Sequence, residues 1–353
     1  TANQQHQELD GQLSADAGLQ LHLQARHDNS RGLQLQARMT ELFLRAGNPL
    51  VKLLSEWPAL FDLNDGRLNA QASLALTPEY PAPTLLVELS GKGLAGIYDR
   101  TALSGLDGRA QLRLSRQQLQ VELNELRLKQ ANPGFPIGPL LLRGRYHASL
   151  RQPNRGRLEL QQAETKVMGG TLRLPPGQWD LAQDELVFPL QLQGLRLEQL
   201  FERYPAEGLT GSGTLDGQLP LRIDARGIEI SHGQVVARAP GGYLQFRSER
   251  LRALGRSNPA MHLVTQSLED FRFTTLVSQL TYEPQGTLRL RMRLEGQNPA
   301  IEQGRAIHFN INLEEDIPSL LASLQLTDKV SDIIKQRVQQ RMLQRNAETP
   351  QEP

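Results

Sequence analysis

The sequence predicts a mainly β protein, built as an elongated, curved antiparallel sheet that forms an open hydrophobic gutter, with a few short helices. Leucine alternates with charged or amide side chains along the chain, as in residues 288–294, 157–160 and 307–313. Period two puts successive side chains on opposite faces of a strand, so each segment has one apolar and one polar face. Only 39% of the 353 residues are hydrophobic and 5% are aromatic, a small supply for compact cores.

Composition narrows the classes of function. Lys and Arg number 39 against 38 Asp and Glu, so no charge excess favours nucleic acid. The absence of cysteine excludes disulfides, thiolate metal sites and cysteine catalysis. No run of 18 apolar residues is present, so nothing in the sequence predicts a membrane-spanning helix. The chain starts at Thr1 without a signal-peptide pattern, and we interpret it as a piece of a longer protein.

Degenerate repeats favour repeated supersecondary units. Leu-Asp-Gly occurs at 9–11, 106–108 and 215–217, and Asp-Gly before an alternating segment predicts a hairpin turn. Residues 50–59 align with 197–206, and each predicts a short amphipathic helix that ends at proline. Paired glycines at 169–170 and 241–242 predict a bulge or a bend that curls the sheet.

These patterns predict one continuous groove over residues 1–326, interrupted by short helices near 49–57, 196–204 and 317–324. Residues 327–346 are predicted to form a C-terminal helix with one apolar side. This helix is expected either to pack across the end of the sheet or to bind a membrane interface or a partner protein. Residues 347–353 predict a disordered tail. The apolar side of this helix comprises Val330, Ile333, Ile334, Val338 and Met342.

Motifs of catalysis are weak. Residues 91–96 match G-x-G-x-x-G, but Gly105 and Asp107 follow too soon for the crossover helix that a dinucleotide site needs. Residues 62–66 faintly resemble a calcium loop, with glycine one position early. The seven histidines form no ligand-spaced cluster, and no G-x-S-x-G elbow is present. We therefore expect no enzyme activity, no metal and no cofactor.

A family resemblance is carried by strand and turn motifs. The block from Leu215-Asp216-Gly217 through 228–234 to 239–244, and the segment 298–321, resemble the C-terminal region of the YdbH family of AsmA-like proteins. This family carries a "dicarboxylate transport" domain label. The resemblance covers about 135–343 well, and the N-terminal third only in its general strand pattern.

The resemblance implies an intermembrane phospholipid transporter of Gram-negative envelopes. AsmA-like proteins are similar to bridge-like lipid transfer proteins, in which a β-groove (a β-taco) carries acyl chains on its apolar concave face. It implies a periplasmic location, within a longer inner-membrane-anchored protein that reaches toward the outer membrane. The implied partners are phospholipid acyl chains, a small outer-membrane lipoprotein like YnbE that adds a strand, and an assembly factor like YdbL.

Two sets of residues follow from the strand pattern. At about 4.8 Å per strand, some twenty strands predict a conduit on the order of 100 Å long. Its leucine-rich, aromatic-poor face suits sliding, since rings would form local constrictions. The alternative is an ordinary sandwich core. The predicted lipid-binding lining is Leu112, Leu114, Leu158, Leu160, Leu172, Leu174, Leu190, Leu192, Leu288, Leu290, Met292 and Leu294, continued by Ile307, Phe309 and Ile311.

The last alternating segment before the helical tail predicts the edge at which a partner strand docks, because an edge strand exposes unpaired amide and carbonyl groups. This docking edge comprises Ile307, Phe309, Asn310, Ile311, Asn312 and Leu313. We expect the chain to be a periplasmic bridge segment carrying phospholipids. A non-transporting scaffold or chaperone for outer-membrane assembly is the alternative. An enzyme acting on envelope polysaccharide ranks third, and the lack of a spanning segment disfavours a dicarboxylate permease.

Overall fold

A computed structural model gives the architecture of the chain. It describes residues 6–14, 19–28, 32–44, 48, 51, 58–77, 80–204, 208–247, 249, 252–253, 256, 259–301 and 304–324. Strands account for most of these residues, and the helices are short. The predicted antiparallel, open β architecture is confirmed.

The first ten strands are β1 (His6–Ser14), β2 (Gln20–Asp28), β3 (Gly32–Met39), β4 (Leu42–Phe43), β5 (Phe61–Thr77), β6 (Tyr80–Tyr98), β7 (Thr101–Ser115), β8 (Gln118–Asn132), β9 (Leu140–Ser149) and β10 (Gln152–Val167). The next ten are β11 (Gly170–Leu174), β12 (Gly177–Asp180), β13 (Leu186–Arg196), β14 (Leu209–Ser212), β15 (Thr214–Asp224), β16 (Gly227–Ala237), β17 (Gly242–Phe246), β18 (Phe271–Tyr282), β19 (Thr287–Gln297) and β20 (Ala306–Asp316). The helices whose bounds lie within the described residues are α1 (Leu197–Arg203), α2 (Pro259–Leu268) and α3 (317–324).

The strands form one antiparallel meander. In four places two short strands lie end to end and occupy one position in the sheet, which we call a row. These pairs are β3 with β4, β11 with β12, β14 with β15, and β16 with β17. Twenty strands therefore give sixteen rows, and at about 4.8 Å per row the sheet extends roughly 70 Å, less than the predicted 100 Å. Within the described part, β1 pairs only with β2 and β20 only with β19, so the sheet does not close into a barrel.

Charged side chains pair across the strands on the polar face. Register partners such as Glu122 and Arg145 lie 3.2 Å apart, and Arg289 donates to Glu314 over 2.9 Å. Exposed ion pairs of this kind contribute about 0.2–1 kcal/mol each. Their main effect is on register, because a slip of one residue would carry these charges to the apolar face.

Bulges bend the central strands near their middles. Register shifts occur in β5, β6, β8 and β10, between Leu63 and Asp65, Gly91 and Leu94, Leu123 and Leu126, and Leu160 and Gln162. A bulge adds a residue to one strand and bends it. Successive bent strands give the sheet its curved cross-section.

The Leu-Asp-Gly repeats do not form hairpin turns, contrary to the sequence-based expectation. They lie inside β1, β7 and β15. In two of them the aspartate accepts a hydrogen bond from a bulged glycine of a neighbouring strand: Gly93 N–H donates to Asp107 over 2.6 Å, and Gly194 N–H donates to Asp216 over 2.8 Å. A bulge removes an amide from the ladder, and the carboxylate supplies the missing acceptor.

The other local predictions have mixed outcomes. Gly169 belongs to the hairpin turn between β10 and β11 rather than to a bulge, whereas Gly241 lies at the bend between β16 and β17. The helix near 196–204 is α1, and α3 spans 317–324; α2 was not anticipated. The helix near 49–57 lies almost entirely outside the described residues. The helix at 327–346 and the tail lie wholly outside them.

Two apolar clusters stabilise the sheet. The larger one joins α1 to rows β14–β20, and its most enclosed side chains are Phe271 (0% exposed) and Leu294 (1%). Leu197 of α1 belongs to it. The smaller one, Leu42, Leu44, Leu63 and Leu94, lies where β4 joins β5 and β6.

The sheet curls so that distant parts meet. The β8–β9 connection reaches α1, where the rings of Phe135 and Tyr204 make an edge contact at 6.0 Å between centroids. The same connection meets α3, because a Cβ on Gly134 would lie 2.8 Å from the Leu321 carbonyl oxygen. The strand ends on either side of the sheet form its two rims. The β8–β9 connection lies on one rim, and α3, which follows β20, begins on the other. The contact between them therefore brings the two rims together.

Asp216 gives a pH-dependent test of the bulge contact. The hydrogen bond from Arg238 lowers the pKa of Asp216 from its ordinary value; partial burial opposes the shift and the Gly194 hydrogen bond adds to it. The unfolded state therefore binds the proton more tightly. The stabilisation is present above about pH 4 and is lost as the pH falls through the lowered pKa.

We expect Asp216→Asn to cost about 1 kcal/mol in free energy of unfolding at pH 7 and nearly nothing at pH 2.5, measured by urea denaturation. Arg238→Gln should show a smaller loss with the same pH dependence. An equal cost of Asp216→Asn at both pH values would contradict the assignment.

Candidate functional site

One side of the sheet carries a series of mostly apolar cross-strand partners, with only glycine, threonine and serine between them, which we call the apolar face. Register partners share a face, so the series can be followed from row to row. Its first part runs from β1 to β12 through Gly11, Leu23, Ala37, Ala72, Val87, Leu112, Val121, Tyr146, Leu158 and Trp179. Its second part runs from β10 to β20 through Thr165, Leu172, Leu192, Gly217, Val235, Ser278, Met292 and Ile311.

The structure places all twelve predicted lining residues on this face. Leu112 and Leu158 appear in the first part of the series and Leu172, Leu192 and Met292 in the second. The remaining members are two or four positions away on the same strands: Leu114, Leu160, Leu174, Leu190, Leu288, Leu290 and Leu294. Leu174, Leu192 and Leu294 are buried, and the other nine are half-buried.

Aromatic side chains also lie on this face, and of these the sequence analysis placed only Phe309 there. Trp179 stacks on Phe188 with ring centroids 5.0 Å apart, and Phe271 meets Phe309 edge-on at 5.0 Å. Phe188 pairs with Leu221 and Trp179 with Leu158, so both rings of the stack stand among the apolar partners. The sequence analysis expected an aromatic-poor face that includes Phe309, and the structure adds Trp179, Phe188 and Phe271 to that face.

Coverage of the apolar face changes along the sheet. At the β1 end it is open, and Leu9 and Leu13 expose 69% and 50% of their surface. At the β18–β20 end, α1 and the buried rings fill one half of the strand length. The other half stays accessible around Leu288 and Leu290, which are half-buried. The groove is therefore open at one end and partly filled at the other.

The predicted docking strand is the edge strand β20. Its side chains alternate in exposure, with Ile307, Phe309 and Ile311 half-buried on the apolar face, and Asn310 and Asn312 exposed on the polar face. Leu313 faces Leu290 on the apolar side and is 43% exposed. β20 extends to Asp316, three residues beyond the predicted segment.

The polar face is lined by depressions between long side chains such as Arg67, Lys92 and Arg109. Across the described ranges, no group of His, Asp and Glu side chains is arranged to hold a metal ion. Residues 91–96 lie within β6, extended, where no helix begins. None of the helices among the described residues has the length and hydrophobicity needed to cross a bilayer.

Comparison with known proteins gives one match. The model of the YdbH-like family, described as "Intermembrane phospholipid transport protein YdbH", matches residues 1–339. Searches against curated proteins and against solved structures returned no significant match. The match includes the N-terminal third, so the likeness is not confined to the C-terminal region. The match covers nearly the whole chain, and the fold has the open apolar sheet face described above. This chain therefore belongs to the YdbH-like family of intermembrane phospholipid transport proteins.

Proposed function

We propose that this chain is a periplasmic bridge segment that carries phospholipids between the inner and outer membranes, with the acyl chains lying along the apolar face. The observation that supports this most directly is the series of mostly apolar register partners, free of charged residues, that runs from β1 to β20. An ordinary core would be covered along its length. Here nine of the twelve predicted lining residues remain half-exposed.

The energetics of such a face suit transport. Burying a methylene group is worth about 0.8 kcal/mol, so a tail of many methylenes is held firmly as a whole. Successive rows offer similar side chains, so the energy changes little as the tail moves by one row. Firm retention with a nearly flat profile allows sliding without release into water. The stacked Trp179 and Phe188 pair is the place where this profile would be least even.

The exposed edge strand β20 would allow the proposed bridge to bind a partner. A small outer-membrane lipoprotein like YnbE would add a strand to β20 by β-augmentation, extending both the ladder and the apolar face. A periplasmic assembly factor like YdbL would act before the bridge is complete. The bridge would be part of a longer protein anchored in the inner membrane.

A non-transporting scaffold for outer-membrane assembly is the second candidate. It is favoured by the filling of the apolar face around Phe271 and Leu294, which narrows the path toward β20. Mass spectrometry of lipids released from the purified chain separates the two functions. Stoichiometric phospholipid supports transport, and lipid-free protein that still promotes assembly supports the scaffold.

The two faces should respond differently to charge. Aspartate at Leu192 or Leu290 places an unpaired carboxylate on the apolar face, costing about 3 kcal/mol or more at the buried Leu192 and blocking the path. Arg291→Glu, whose neighbours are Gln279 and Asn312, should be tolerated. Complementation of a transport-deficient strain, with circular dichroism as the folding control, measures the difference. Equal tolerance of both faces would refute the groove.

Photo-crosslinking should locate the lipid. A photoreactive residue at Leu160 or Leu288 should capture phospholipid, whereas one at Glu159 or Arg289 should not, because neighbours on a strand face opposite media. Each pair is its own matched control. Mass spectrometry of the adducts gives the result, and similar labelling within both pairs would argue against a tail-binding face.

Proline at the edge should weaken partner docking. Asn310→Pro or Asn312→Pro removes a backbone donor from β20, and we expect co-purification of the lipoprotein to fall about tenfold or more while the upstream sheet remains folded. Circular dichroism checks the fold. If both folded variants retain full binding, the partner binds elsewhere, most plausibly through the predicted C-terminal helix.

A further inference from the structure

The sheet has a gap between β12 and β13. The row that β11 and β12 share is joined to β13 only through β11, where residues 171–173 pair with 191–193. On its other side β12 pairs with β10, and among the described residues it has no register partner in β13. The Cα atoms of β12 lie mostly more than 8 Å from those of β13, whereas directly opposed residues of paired strands have Cα atoms about 5 Å apart. Half of this junction therefore lacks backbone pairing.

Prolines mark the point at which the pairing ends. Pro175 and Pro176 follow β11, and Pro189 lies within β13. Continuing the β11–β13 register by two residues places Pro175 opposite Pro189, and neither has an amide hydrogen to donate. Proline inside a sheet is confined to edges and bulges. The sequence itself therefore ends the pairing at this row and leaves β12 and β13 apart.

Two aromatic rings bridge the gap on the apolar face. Trp179 of β12 stacks on Phe188 of β13, with ring centroids 5.0 Å apart and ring planes inclined by 28°. The Trp179 indole N–H donates to the Val187 carbonyl over 2.8 Å, which ties the ring to the far side of the gap. The ring also lies over Gly177, where a Cβ would collide with it. These contacts hold the indole in one orientation across the gap.

Register places the stack between two lines of apolar partners. Trp179 ends a line that begins at Leu112, and Phe188 begins a line that ends at Leu288. All members of both lines are half-buried. The intervening partners are Val121, Tyr146 and Leu158 in the first line, and Leu221, Ile230 and Tyr282 in the second.

The other half of the same junction is covered. It contains the β11–β13 pairs and lies beside α1, and Leu174 and Leu192 are each only 8% exposed there. Beyond them α1 packs on the cluster that includes Phe271 and Leu294. A lipid tail on that half would have to displace buried side chains. The accessible route from rows β1–β12 to rows β13–β20 therefore passes over the stack.

We propose that the Trp179–Phe188 stack carries phospholipid tails across the gap between β12 and β13, and that transfer of lipid between the two parts of the groove depends on it. This inference rests on the lipid-carrying function proposed above. Without the rings, a tail that crosses the gap would meet water and unpaired backbone groups, which is unfavourable for its methylene groups. Stacked rings supply a broad apolar surface where the strands leave none.

The test compares two ring deletions in the full-length protein in cells. Trp179→Ala removes the ring at the gap together with its hydrogen bond to a carbonyl group. Tyr146→Ala is the matched control, because the Tyr146 hydroxyl also donates to a carbonyl, that of Pro153, but its strand is paired on both sides. A photoreactive residue at Leu112 or at Leu288 reports lipid on either side of the gap. Mass spectrometry quantifies the phospholipid adducts.

We expect labelling at both sites in wild type and in Tyr146→Ala. In Trp179→Ala the ratio between the two sites should change about tenfold, with the site nearer the lipid source keeping its label, because exposing about two methylene groups at the gap slows transfer by roughly that factor. Trp179→Phe retains a ring and should restore most of the wild-type ratio. Circular dichroism checks the fold. If Trp179→Ala does not fold, Phe188→Leu, which removes the stack but keeps an apolar side chain, replaces it with the same expectation.

An unchanged ratio in a folded variant without the stack would overturn the inference, as would an equal change in Tyr146→Ala. In both cases the labelling itself would still uphold transport. A wild-type protein without phospholipid adducts at either site would instead refute the transport function.

Discussion

The backbone hydrogen-bond ladder is the constraint on which the rest of this structure depends. Each of the sixteen rows obtains its partners from the rows beside it, so the sheet can be long without a deep core. The register of that ladder keeps most of the strand leucines on one face. A slip of one residue anywhere would turn the apolar side chains of that row outward. Paired charges on the polar face, such as Glu122 with Arg145, oppose such slips.

Curvature is introduced without interrupting the ladder. Bulges in the central strands displace single residues, and two of the amides they expose are accepted by Asp107 and Asp216. The same Leu-Asp-Gly sequence therefore serves two needs. Its glycine permits close backbone approach, and its carboxylate satisfies a bulged amide of the strand before it. Bending the strands this way gives a trough rather than a flat ribbon.

The proposed lipid-carrying surface would have to remain incompletely covered, and incomplete burial of apolar side chains conflicts with stability. The chain concentrates its buried side chains in two clusters, near Leu44 and near Phe271, and leaves most of the apolar side chains between them half-exposed. Contacts of α1 and α3 with the β8–β9 connection hold the curled sheet together. The helices thus stabilise the groove at its rims.

The sequence by itself determined the antiparallel open sheet, the identity of the residues on its apolar face and the edge position of β20. These depend on period-two alternation, which is a local property of each strand. The sequence analysis wrongly assigned the Leu-Asp-Gly repeats to hairpin turns. Whether Asp-Gly forms a turn or lies beside a bulge depends on the neighbouring strand in the sheet.

Only the tertiary structure decided how four pairs of strands share rows and where the aromatic rings gather. Each of these depends on residues far apart in the chain. Phe271 of β18 and Phe309 of β20 meet across the intervening strand β19, and Gly134 meets Leu321 only because the sheet curls. Pairing at such distances is set by register and curvature, which no local pattern encodes.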